Sequence, residues 1–97
     1  MVEVDVSQIV VKDNPAASQF EAYIGDQQVG IIGYDVDSDA LLFIHTEVPE
    51  AYEGQGVAAK LTEEAFHLTK AQGKRVVALC PYTQAFLRKH PEYRSFT

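Results

Sequence analysis

Apolar and polar residues alternate along the first half of the chain with the two-residue period of a half-buried β-strand. Four such segments are predicted, over residues 7–11, 18–24, 29–36 and 40–48. Asn14-Pro15 and the turn around Gly25 separate the first three segments, and an acidic run ending at Asp39 separates the last two. Because these connections are short, the four strands should pair antiparallel.

The second half changes to helical spacing. Val57, Leu61, Ala65 and Leu68 are apolar and recur every three or four residues, and Gln72 continues the spacing. This pattern predicts a helix over 56–72. A strand over 75–80 and a helix over 83–89 follow, the latter ending before Pro91. A strand–helix–strand connection is right-handed, so the fourth and fifth strands should run parallel. The sequence therefore predicts one α+β domain over 1–97, ββββ-α-β-α, with a mixed, mainly antiparallel sheet.

The fourth strand and the end of the fifth carry candidate catalytic groups. Simple alternation places Leu41, Phe43, His45 and Glu47 on one face, and Leu42, Ile44, Thr46 and Val48 on the other. The carboxyl ends of parallel strands favour ligands, so Cys80 and His45 are expected close together. Such a pair can activate a thiolate. The alternative is a buried small hydrophobe and a hydrogen-bonded strand histidine.

Gly54 and Gly56 lie between the fourth strand and the long helix. The first amides of a helix have no intrahelical partner, and glycines let a phosphate approach them, so the segment predicts an anion cradle. The spacing Gly54-x-Gly56-x-x-Ala59 matches a loose dinucleotide fingerprint, but its place after four antiparallel strands argues against that fold. No Lys-Ser or Lys-Thr follows for a P-loop. Lys60 is either a weak phosphate partner or a solvated charge, and the whole segment could be an ordinary turn.

Composition narrows the function classes. The formal net charge of −6 argues against nucleic-acid binding and would attract cationic substrates. Cys80 is the only cysteine, which excludes an internal disulfide and cysteine-based zinc clusters. No apolar run spans a bilayer, and residues 1–5 lack signal-peptide features, so a cytoplasmic protein without membrane partners is expected.

A metal site is not predicted. Asp35, Asp37 and Asp39 copy the first ligand spacing of an EF-hand. Ala40 replaces the required glycine, and Thr46 stands where the bidentate glutamate belongs. The acidic run is therefore interpreted as a hairpin tip.

The segment Glu53-x-x-Gly56-x-Ala58, opening a helix after the fourth strand, resembles motif A of the GCN5-related N-acetyltransferases. That motif reads Gln or Arg, two residues, Gly, one residue, then Gly or Ala. The segments 45–48 and 79–82 are similar to the family's small single-domain subgroup in order and spacing. The segment 85–93 looks like its terminal helix-and-strand element. The resemblance covers nearly the whole chain.

The resemblance implies acetyl-CoA as co-substrate. Strands four and five would splay, with the pantetheine arm between them along the edge near Val48 and the pyrophosphate on the amides of the glycine loop. The implied cofactor-binding residues are Glu47, Val48, Gly54, Gln55, Gly56, Val57, Ala58, Ala59, Lys60, Tyr82 and Phe86. Glu53 departs from the usual Gln or Arg, so the cradle must rely on backbone N–H groups. The thioester would lie near the candidate catalytic residues Cys80 and His45.

The leading hypothesis is acetyl transfer from acetyl-CoA to an amine, either a small cationic amine or a basic protein. In direct transfer His45 is the base, because imidazole titrates near neutral pH, and a backbone N–H of strand four stabilises the oxyanion. In the covalent version Cys80 takes the acetyl group first. The alternatives are a non-catalytic acyl-CoA-binding or regulatory module and a partner-binding domain without a ligand.

Overall fold

Five strands lie in sequence order across one sheet, β1-β2-β3-β4-β5, in a computed structural model that describes residues 3–97. The strands are β1 Val10–Asn14, β2 Gln19–Ile24, β3 Gln27–Asp37, β4 Ala40–Glu47 and β5 Arg75–Ala78. The helices are α1 Val57–Ala71 and α2 Pro81–Lys89, with short 3-10 turns at Val6–Gln8, Pro15–Ala17, Glu50–Tyr52 and Pro91–Phe96. Met1 and Val2 belong to the N-terminal segment predicted to lack signal-peptide features, and they lie outside the described residues.

The predicted mixed sheet is confirmed. Strands β1 to β4 pair antiparallel, and β4 pairs parallel with β5 across the α1 connection. The β4–β5 pairing ends at Phe43 and Ala78, while β4 continues to Glu47. Just beyond β5, the N–H groups of Leu79 and Cys80 both donate to the Phe43 carbonyl. The two strands therefore separate after Phe43 and leave a gap between them.

Both helices pack on the sheet face that carries Phe43, which we call the covered face; the opposite side is the open face. Phe66 of α1 joins the layers, with its ring centroid 5.5 Å from Phe43 and 5.6 Å from Phe86 of α2. Phe20 and Leu61 are also fully buried here. Burying each such side chain contributes about 1.5–3 kcal/mol, so this apolar layer holds the helices against the sheet.

Several segment boundaries differ from the prediction. β1 begins at Val10, because Asp5 caps a preceding 3-10 turn by accepting the Ser7 N–H at 3.0 Å. β5 ends at Ala78, and α2 begins at Pro81, because proline suits the first helical position, where no N–H is needed. The expected terminal strand is wrong: Pro91–Phe96 is a 3-10 helix.

A β-bulge interrupts β4 at Ile44. Tyr34 of β3 pairs with Phe43, whereas the preceding Gly33 pairs with His45, so Ile44 has no partner in the register. One extra residue on one strand reverses the alternation of side chains beyond it.

The bulge changes which side chains of β4 face the helices. Thr46 lies opposite the buried Ile32 and therefore shares the covered face with Phe43. His45 and Glu47 lie on the open face. The prediction that Phe43, His45 and Glu47 share one face is wrong, because simple alternation cannot anticipate an inserted residue.

No helix among residues 3–97 has both the length and the apolar character needed to cross a lipid bilayer.

Candidate functional site

A groove of about 250 Å³ opens where β4 and β5 separate. Its walls come from the end of β4, the following loop, the first turn of α1 and the start of α2. Seven residues predicted to bind a cofactor line this main groove: Val48, Gly54, Gly56, Val57, Ala58, Ala59 and Tyr82. Tyr52 and Glu53 complete it. The structure thus brings most of the predicted binding residues together at one place.

The first turn of α1 supplies amide groups to this groove. Gly56 is the N-cap with a φ of +88°, and Gly54 has a φ of +75°, a conformation that favours glycine. Because the N-cap residue is a glycine, it has no side chain with which to cap the helix. The N–H groups of Val57, Ala58 and Ala59 therefore lack an intrahelical acceptor at the positive end of the helix dipole. This combination favours an anion at the groove.

Four other predicted binding residues lie outside the groove lining. The Gln55 side chain accepts the Val4 N–H at 2.7 Å, and Lys60 forms an ion pair with Glu64 at 3.0 Å. The hydrogen bond from Lys60 to Glu64 raises the pKa of the Lys60 ammonium. Phe86 is buried in the core. Glu47 has its side chain on the open face, so only its backbone can contribute to the edge of β4.

Cys80 occupies the N-cap position of α2 and is 3% exposed. Its Sγ lies 3.5 Å from Thr46 Oγ1. Burial raises the pKa of the Cys80 thiol, but interactions with the Thr46 hydroxyl, with Thr83 and with the Tyr82 N–H outweigh it and lower the pKa below its ordinary value. Amides of a helix's first turn stabilise a thiolate in this position. Cys80 is therefore a buried thiol whose charged form is favoured, and it is not among the residues that line the main groove.

Thr83 also contributes an unusual group next to Cys80. Its hydroxyl is fully buried and meets no hydrogen-bond partner among the described residues, although it lies near enough to favour the thiolate. A buried hydroxyl without a partner costs free energy, on the order of 1–3 kcal/mol. Thr83 does not line the main groove, so its hydroxyl lies beside the Cys80 thiol and not at the groove surface.

His45 lies on the opposite face from Cys80. Its ring covers Gly33, where an added Cβ would collide with His45 Cε1. The imidazole is about half exposed, and its Nε2 is 3.9 Å from Glu47 Oε1. None of the hydrogen bonds recorded within residues 3–97 joins His45 to Cys80, so the structure does not bring this predicted pair together.

Thr46, like Tyr52 in the main groove, is a site residue that the sequence did not predict. Alternation placed it on the face away from Phe43, and Cys80 was paired with His45 instead. The one indication in the sequence is the position of Thr46 in the segment 45–48, between the predicted site residues His45 and Glu47.

Comparison with known proteins gives a consistent picture. The model of a family described as GCN5-related N-acetyltransferase matches residues 19–96. Protein NATD1 from Bos taurus is 38% identical over 47 residues, which is 48% of this chain and 42% of that protein. Protein NATD1 from Danio rerio is 37% identical over 51 residues, which is 50% of this chain and 46% of that protein. The match thus spans less than half the length of these relatives.

A solved structure shares the fold. It is an NMR solution structure of a Staphylococcus aureus protein described as GCN5-like, with a TM-score of 0.67 and 26% sequence identity. The superposition covers 93% of this chain and 88% of the other. The agreement therefore extends over most of the length of both chains.

Proposed function

Because this chain belongs to the GCN5-related N-acetyltransferase family, we propose that it transfers an acetyl group from acetyl-CoA to an amine. The observation that carries the proposal is the main groove, whose wall includes the α1 amides without an intrahelical acceptor, together with Cys80, which is buried where β4 and β5 part. Bound acetyl-CoA would supply the activated acyl group as a thioester. The single free cysteine is in keeping with a reducing, cytoplasmic location.

The residues of the groove fit an acyl-CoA. The amides of residues 55–59 would hold the pyrophosphate, and the edge of β4 at Glu47 and Val48 would pair with the amides of the pantetheine arm. Glu53 lines the same groove with a carboxylate, which favours recognition by backbone N–H groups over recognition by that side chain.

In the direct route His45 acts from the open face. The imidazole would take the proton of an acceptor ammonium, so that the free amine can attack through the gap. A backbone N–H of β4 at the bulge would stabilise the developing oxyanion. The acidic balance of the chain favours a cationic acceptor, either a small amine or a basic protein segment.

In the covalent route Cys80 acts from the covered face. Its thiolate would form a bond to the acyl carbon while the thiolate of CoA leaves, and the amine would later displace Cys80. Thr46 and the first amides of α2 would stabilise the thiolate. Because His45 lies on the other face, the geometry supports this route without His45 as the activating base.

The test is acetyl transfer to a panel of amines and basic peptides, with CoA release and intact mass as readouts. We expect release above hydrolysis for at least one acceptor, a loss on the order of 10²-fold in His45→Ala, and little change in His67→Ala, a control on α1. An acetyl adduct at Cys80 without acceptor would support the covalent route, and residual activity of Cys80→Ala would argue against it.

A second measurement separates catalysis from binding alone. Amide NMR signals of Gly54, Gly56 and Val57 should shift on titration with CoA. Shifts without transfer to any acceptor would favour a non-catalytic acyl-CoA-binding module. No shifts at millimolar CoA would overturn both ligand hypotheses and favour a partner-binding domain.

A further inference from the structure

A second cavity of about 210 Å³ adjoins the main groove between α1 and α2. The residues that line this side cavity are Ala59, Tyr82, Ala85, Phe86, Lys89 and His90. Ala59 and Tyr82 also line the main groove. The two cavities therefore form one continuous path that starts at the unpaired amides of α1 and runs along α2.

The α2 side of this path is a single helical stripe. Tyr82, Ala85, Phe86 and Lys89 are spaced i, i+3, i+4 and i+7, which places them on one face of the helix. Seven residues span roughly 10 Å along a helix axis at 1.5 Å per residue. The stripe thus begins with an aromatic ring beside the α1 amides and ends in a cation about 10 Å away.

The charges around Lys89 set the side cavity apart from the rest of an acidic protein. None of the residues that line it is acidic. Within residues 3–97 Lys89 has no carboxylate at ion-pair distance, whereas Lys60 is held by Glu64 and Arg75 by Asp39. The side cavity therefore ends in a lysine whose charge is available to a ligand.

A neighbouring cavity is less suited to an anion. It is larger, about 390 Å³, and shares Ala59, Phe86 and His90 with the side cavity. Glu63 and Glu92 line it, and His90 Nδ1 lies 3.9 Å from Glu92 Oε2. Lys60 also lines it, but its charge is paired with Glu64 at 3.0 Å. The two carboxylates would repel a phosphate there, which directs an anionic group towards Lys89.

We propose that Lys89 binds the 3′-phosphate of coenzyme A and that the side cavity is the subsite for its phosphorylated ribose. The inference rests on the proposed function, which puts the pyrophosphate at the α1 amides. The ribose connects that pyrophosphate to the 3′-phosphate, so the second anion would follow the path along α2. Lys89 acts as a specificity-determining residue that distinguishes CoA from CoA lacking this phosphate.

The experiment measures binding by isothermal titration calorimetry, with CoA and 3′-dephospho-CoA as ligands. The proteins are the wild type, Lys89→Ala and the matched control Arg88→Ala. Arg88 is an exposed cation in the same last turn of α2 but lines neither the main groove nor the side cavity. Both substitutions remove one positive charge, so the long-range effect on an anionic ligand is the same.

We expect the wild type to bind CoA about tenfold more tightly than 3′-dephospho-CoA, as one charge-assisted phosphate contact allows. Lys89→Ala should remove most of this preference by weakening CoA alone, and Arg88→Ala should retain it. Equal affinity of the wild type for both ligands, or equal weakening of both by Lys89→Ala, would overturn the inference and leave the proposed function intact. Failure of the wild type to bind either ligand would overturn the proposed function, and the inference with it.

Discussion

At the residue scale, the Cys80 thiol combines burial with stabilisation of its charged form. Desolvation opposes ionisation, yet the net effect lowers the pKa of the thiol. The helix N-cap position explains why, because the first amides of α2 and the Thr46 hydroxyl all favour a negative sulfur. Removal of the Thr46 hydroxyl should therefore produce a detectable change in the pKa of the Cys80 thiol.

Thr46→Val should raise the pKa of the Cys80 thiol. Removing the hydroxyl takes away one hydrogen bond, worth about 0.5–1.5 kcal/mol, so alkylation near pH 7.5 should slow roughly three- to tenfold. The rate of iodoacetamide modification against pH, followed by mass spectrometry, measures this at the single cysteine. Thr69→Val is the control, since the buried Thr69 hydroxyl donates to the Ala65 carbonyl instead. An unchanged pH profile in Thr46→Val would show that Thr46 does not stabilise the thiolate.

The sequence identified the types of group in the site better than their pairing. Gly54, Gly56 and Cys80 were found because each residue type has a backbone or chemical property that its position requires. Thr46 was missed, since a hydroxyl acquires its role here only from the neighbour that the fold gives it. The contact between Thr46 and Cys80 depends on side-chain orientation, which composition and spacing do not encode.

At the scale of single elements, the bulge at Ile44 places His45 on the open face of β4 and Thr46 on the covered face. The sequence around Ile44 contains no glycine or proline that would signal the extra residue, so simple alternation was the natural prediction. Gly33 on β3 is the residue that leaves room for the His45 ring. The His45 ring lies directly over its Cα, where any side chain would collide with it.

Gly33→Ala should displace the His45 ring without unfolding the protein. The ring is half exposed and can rotate away, so the free energy of unfolding should change by less than about 1 kcal/mol. If His45 is the base in its present position, transfer to the best acceptor should fall as it does in His45→Ala.

The double variant Gly33→Ala/His45→Ala supplies the control for that displacement. Its activity should be no lower than that of either single variant, because residues in contact are not additive. Full activity of Gly33→Ala beside an inactive His45→Ala would show that acetyl transfer does not depend on the position of the His45 ring.

At the scale of the whole molecule, most of the architecture followed from periodicity. The change from period two to helical spacing located four antiparallel strands, a crossover helix and a parallel fifth strand. The terminal 3-10 segment was missed because its apolar residues are held by tertiary packing. Tyr93 and Phe96 both lie against Phe66, with ring centroids 5.6 and 6.0 Å away, and such contacts have no local periodicity.

One polar cluster ties distant elements together. Tyr34 Oη on β3 donates to Asp13 Oδ1 on β1 at 2.6 Å, and Gln72 Nε2 at the end of α1 donates to Asp13 Oδ2 at 2.8 Å. Burial, together with the Asp13 hydrogen bond and charge, raises the pKa of the Tyr34 hydroxyl well above its ordinary value of 10.0. A raised folded-state pKa stabilises the fold below the unfolded value and ceases to do so as pH rises past the folded one.

Tyr34→Phe should therefore lower the free energy of unfolding at pH 7 by about 1 kcal/mol, the value of one hydrogen bond. Above pH 10 the variant should also lose less stability than the wild type does. Urea unfolding at both pH values measures this, with Tyr52→Phe as control, because the Tyr52 hydroxyl makes no hydrogen bond within the described residues. Parallel losses in Tyr34→Phe and the wild type at alkaline pH would exclude Tyr34 as the cause.

The single unpaired residue in β4 is the one place where the strand can lose a residue without moving its functional groups. Deleting Ile44 would remove the bulge and restore plain alternation, with His45 still opposite Gly33 and Thr46 still on the covered face. When related chains are aligned, a gap of one residue at Ile44 would therefore leave both groups on their present faces.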